Sequence, residues 1–90
     1  MGVNTTDGRN KRLAQAILDA VGDPDPETRS LTASFWRAGE WQQAAIDAMI
    51  YAMDAGLTVP GSLVRQAVSE WPNDMGPLLA RKFTAWADRV

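Results

Sequence analysis

The chain has 90 residues, 46% of them apolar, a formal charge of −2, and neither cysteine nor histidine. A chain this short builds one modest core, and its composition is that of a globular domain rather than a disordered one. The missing residue types exclude disulfides, thiol chemistry, and the commonest general base and metal ligand.

No apolar run reaches the roughly 18 residues of a membrane span, and the first residues lack the apolar stretch of a secretory signal. A cytoplasmic protein without a membrane role is therefore expected. The surplus of Arg over Lys and the abundance of Ala fit a bacterial or phage origin. Charge is uneven along the chain. From Leu13 to Gly56 the acids Asp19, Asp23, Asp25, Glu27, Glu40, Asp47 and Asp54 face only Arg29 and Arg37. An acidic middle opposes phosphate contacts, so nucleic acid is not the expected partner.

Residues 1–9 are polar and read as a flexible arm, leaving 10–90 as a single helical domain. The first helix is expected over 10–21, with Leu13, Ala14, Ile17, Leu18 and Val21 on one face and Gly22 as its stop. The prolines of Asp23-Pro24-Asp25-Pro26 make a rigid turn, and Asp25 is placed to cap a second helix over 26–38 that ends before Gly39. Leu31, Phe35 and Ala38 define that helix's apolar stripe. Trp36 falls roughly 140° away, beside Arg29 and Arg37.

The third helix, over 40–55, is the most informative element. Ile46, Met49, Ile50 and Met53 fill one side and Ala44, Ala45, Ala48, Ala52 and Ala55 the other. Only Gln43, Asp47 and Asp54 share a polar strip. A helix apolar around most of its circumference needs neighbours on both sides, so it is central to the fold or half of a dimer core. A fourth helix follows from about Pro60 or Gly61, burying Leu63, Val64, Ala67, Val68 and Trp71, until Trp71-Pro72 breaks it. A fifth starts near Met75 or Pro77 and runs to Arg89, with Leu79, Phe83, Trp86 and Val90 as its stripe. The expected fold is all-α, a compact bundle of four to five short amphipathic helices around the helix at about 40–55.

No motif for catalysis, a cofactor or a metal survives inspection. Asp23, Asp25 and Glu27 alternate like calcium ligands, but Thr28 and Ser34 stand where that loop needs Gly and a bidentate Glu. Asp47 and Asp54 lie two turns apart on one strip. They read as a solvated edge rather than the differently placed carboxylates of an acid–base pair.

Two partial resemblances bear on function. Leu31, Phe35, Gly39, Trp41 and Ala44 fall in register with the helical hairpin of a tetratricopeptide repeat. The resemblance covers about a third of the chain and, with no second copy of the period, implies a helical hairpin and little more. Around Gly56 the chain resembles the helix-turn-helix of DNA-binding proteins, with Tyr51, Ala52, Ala55 and Leu57 at its apolar and small positions. That resemblance implies base reading by Arg65 and Gln66 on the following helix.

The expected function is a small non-catalytic protein-interaction or regulatory protein that binds a protein partner or itself as a homodimer. Its expected contacts are Trp36, Arg37, Ile46, Met49, Ile50 and Met53, since Trp beside Arg is the composition of an interface hot spot. The other three tryptophans, Trp41, Trp71 and Trp86, are expected in the core. The alternative is a helix-turn-helix regulator using Arg65 and Gln66.

Overall fold

A computed structural model describes the backbone of residues 3–89 and the side chains of residues 8–89. Among the described residues there are five helices and no strand: α1 Val3–Val21, α2 Pro26–Arg37, α3 Trp41–Asp54, α4 Gly61–Glu70 and α5 Pro72–Arg89. The radius of gyration is 12.4 Å, close to the roughly 12 Å of a compact chain of this length.

Local chemistry accounts for most helix ends. Gly22, Gly39 and Gly56 follow α1, α2 and α3 at φ of 83°, 78° and 73°, the left-handed region that a side chain resists and a helix C-terminus uses. Pro26 opens α2 at its first position, where its missing N–H costs no hydrogen bond. Asp25 stands at the N-cap, but contrary to the expected cap its carboxylate makes no hydrogen bond to the helix. Trp71-Pro72 separates α4 from α5. Gly76, at φ 80° and ψ 164°, kinks the start of α5, and the helix resumes at Pro77, where the sequence places a start.

α1 begins at Val3, so much of the stretch read as an arm has helical backbone. Its first two residues lie outside the described residues, as does Val90 of the expected fifth stripe. Apolar periodicity missed this extension because the contacts at its junction with the expected helix are polar. Arg9 pairs with Glu70 of α4 at 2.8 Å, and buried Asn10 accepts a 2.9 Å hydrogen bond from the indole N–H of Trp71.

α3 is central. It packs against α1, α2 and α5, and buries Ala44, Ala45, Ile46, Ala48, Met49 and Ala52. α2 and α3, joined by residues 38–40, form the hairpin that the tetratricopeptide resemblance implies, and α4 and α5 pack along each other as a second pair. That pair closes the core by setting α4 against α1 and α5 against α3. Trp71, Phe83, Ile17, Met49, Val59 and Val64 are its largest fully enclosed side chains. Val59 reaches this core from the connection after α3, a position the sequence pattern left in a loop.

The largest departure from the sequence reading is the rotation of α2. Its one buried residue is Thr32, flanked by half-buried Thr28, Phe35 and Trp36, while Leu31 and Ala38 are exposed. The inward face is thus turned by about a quarter of the circumference from the Leu31–Phe35–Ala38 stripe. Burying a threonine is tolerable because its hydroxyl donates to the Arg29 carbonyl at 3.1 Å within the same helix. Trp36, expected off the packed stripe, lies on its edge.

Candidate functional site

α1 and α2 both rest on α3, yet they do not pack on one another. The gap between them is an open cleft of about 410 Å³, walled by Gln15 and Leu18 from α1 and by Arg29, Thr32, Ala33, Trp36 and Arg37 from α2. Its surface is mostly apolar. The rotation of α2 creates this site by bringing Trp36 and Ala33 toward α1 and leaving the two guanidinium groups at the rim.

Trp36 is held from behind. Its ring meets Trp41 edge-on at 4.7 Å between centroids, and the Lys11 ammonium lies 4.9 Å from the centre of the Trp41 ring on the way back to α1. An edge-to-face pair of this kind contributes about 0.5–1.5 kcal/mol beyond its buried area, and the exposed cation about 0.5–1 kcal/mol. Trp41 is consequently half-buried in this cluster rather than enclosed in the core, whereas Trp71 and Trp86 are buried as expected.

The two arginines differ. Arg29 is tied to the Asp23 carboxylate at 3.0 Å and donates to the Pro24 carbonyl at 3.3 Å. Arg37 is exposed and forms no ion pair among the described residues.

The remaining expected contacts do not join this cleft. Ile46 and Met49 are buried inside the chain, and Ile50 and Met53 are half-buried against the same core. The bulky side of α3 is therefore largely consumed by the fold itself. Arg65 and Gln66 are exposed on α4, where Arg65 pairs with Asp88 at 3.1 Å and Gln66 donates to Glu70 at 3.4 Å. α3 and α4 do not pack against each other, so the tightly packed helix pair that the helix-turn-helix resemblance implies is not formed.

Asp47 and Asp54 also part company. Asp54 is exposed, while Asp47 is half-buried, with Oδ2 shut off from solvent and without a hydrogen-bond partner among the described residues. Burial, and then the negative charge of Asp25, push the Asp47 carboxyl above its ordinary value of 3.8. The raised value means that the folded chain holds this proton more tightly than the unfolded one. Stability linked to Asp47 is therefore fully present below pH 3.8 and is lost as pH rises through the folded value. Asp47→Asn is expected to melt above the wild type at neutral pH and to lose that advantage in acid. Parallel thermal melts of the two proteins across this range check it. An advantage that persists undiminished in acid would show that the carboxylate's charge is not its cause.

Among the described residues, no three His, Cys, Asp or Glu side chains converge as a metal cluster would. The residues that the sequence reading missed, Gln15, Leu18, Arg29, Thr32 and Ala33, carry no motif and meet only through the packing of α1 and α2 on α3. No known protein family, curated protein or solved structure matches this chain.

Proposed function

We propose that this protein is a small non-catalytic interaction protein with a regulatory role, and that it receives a protein partner in the cleft between α1 and α2. One observation supports the reading above others: Trp36 forms part of an apolar wall rimmed by two guanidinium groups, one of them without an ion pair among the described residues. An indole held by its neighbours offers a large contact area at little entropic cost, and Arg fits carboxylates or carbonyls in a fixed fork. The partner segment that complements this cleft is apolar at its centre and acidic at its margin.

Affinity capture from the native host with wild type and Trp36→Ala tests the proposal. Because Trp36 is half-buried on Trp41, the substitution is expected to cost about 1–2 kcal/mol of stability, leaving a folded protein at low temperature. Partner binding should weaken by about 2 kcal/mol or more, roughly 30-fold. Equal capture by both proteins would remove the cleft from the interface. Salt-sensitive binding to duplex DNA that is lost on Arg65→Ala would replace this reading with the helix-turn-helix regulator.

A further inference from the structure

Among the described residues α2 packs on α3 alone, so its outer face has no neighbouring helix there. That face is not a generic polar surface. Along it run Glu27, Leu31, Ser34 and Ala38, in the alternating four- and three-residue steps of a helix-pairing seam, with Ser30 and Arg37 at its flank. Leu31 is 45% exposed at its middle. Glu27 lies in the first turn and Arg37 in the last, about 15 Å apart along the axis, and neither forms an ion pair among the described residues.

We infer that this face binds a second copy of the chain, with the two α2 helices antiparallel about a two-fold axis. The register that sets Leu31 against the second copy's Ser34 repeats itself under the two-fold. It places Glu27 at the level of the second copy's Ala38 and beside its Arg37, and the same pair forms at the other end. The Glu27–Arg37 pairs make the seam self-complementary in charge, a condition for an isologous contact. Small serines let the backbones approach, both leucines are covered near the axis, and the helix dipoles run in opposite directions. Leu78, which is also exposed, does not offer this. It shares its face of α5 with Arg81, Lys82 and Arg89, whose like charges would oppose one another across a two-fold.

One short helix per copy buries less than the roughly 800 Å² per partner of a stable complex, so the dimer is weak, with a dissociation constant tighter than about 1 mM but not nanomolar. The inference goes beyond the cleft reading and uses a face distinct from the cleft wall, with only Arg37 at their common edge.

Charge reversal tests it by sedimentation equilibrium. Glu27→Arg makes a copy basic at both ends of the seam, and Arg37→Glu makes one acidic at both ends. Each alone is expected to dimerise at least about tenfold more weakly than wild type, because two attractions become two repulsions. Mixing the two variants should restore association, since every end then meets its opposite. These charges also suit the dipole of α2, but that role affects the melting of each single chain and predicts no recovery on mixing. Leu31→Ser, at an exposed position, should weaken the dimer while helical content stays that of wild type.

A wild type that remains monomeric at about 1 mM overturns the inference, as does a mixture no tighter than its components or a dimer indifferent to Leu31→Ser. The cleft reading fails separately. Glu27→Arg leaves Trp36 untouched and should not alter capture of the heterologous partner, whereas Trp36→Ala should leave the dimer intact.

Discussion

Replacing Trp71 by alanine is expected to cost about 3–5 kcal/mol, a large fraction of the stability of a domain this small. A domain of this length has a total stability of only about 5–13 kcal/mol, and Trp71 is among the largest side chains fully enclosed within it. The residue joins distant parts of the chain. It stands between α4 and α5 in the core, and its indole N–H reaches 61 positions back to the side-chain oxygen Oδ1 of Asn10 on α1. Losing the ring opens a cavity and also strands a buried amide oxygen.

The two contributions can be separated. Trp71→Phe keeps most of the apolar volume and deletes the donor, which should cost about 1–3 kcal/mol plus a small packing loss. Adding Asn10→Leu to that variant should restore part of the stability, because a buried pair replaced by apolar groups on both sides no longer contains an unmet partner. Urea denaturation of the single and double variants measures the coupling. Strict additivity would mean that the Asn10–Trp71 bond does not organise the joint between α1 and the α4–α5 pair.

Ala48→Leu is expected to be the next most damaging change, costing about 1–3 kcal/mol by overpacking. Ala48 is completely buried on the central helix, together with Ala44, Ala45 and Ala52. With α1, α2 and α5 all packed on α3, a longer side chain at this position has no open direction to take. The neighbouring helix must shift, and because α2 packs on α3 alone it is the element least restrained against moving. The denaturant midpoint checks the cost. An unchanged midpoint would mean that α3 is not tightly enclosed at Ala48. Ala55→Leu provides the control, since that residue is exposed at the helix end and should change stability by less than about 0.5 kcal/mol.

The sequence by itself determined where the helices end and which of them is central. Gly22, Gly39 and Gly56 stop helices because their backbones take positive φ, and Pro26 and Pro77 start them because their φ is already helical. These effects act within a turn of the residue that causes them. The burial of α3 was legible for a similar reason: a helix apolar on nearly every side has only one kind of place to go.

Tertiary structure decided the rest. The orientation of α2 could not be read from its own residues, because Leu31 promises more burial than Thr32, and only the surface offered by α3 selects the face on which Thr28, Thr32 and Trp36 turn inward. The cleft exists because two helices share one support without packing along each other, which is a relation between α1 and α2 that neither sequence encodes alone. Asn10 and Trp71 are likewise an ordinary polar residue and an ordinary core aromatic until the fold brings them within 2.9 Å. Local backbone preference is set by neighbours in sequence, whereas the partners of a side chain are set by how whole helices fill space, and the candidate site depends on the second.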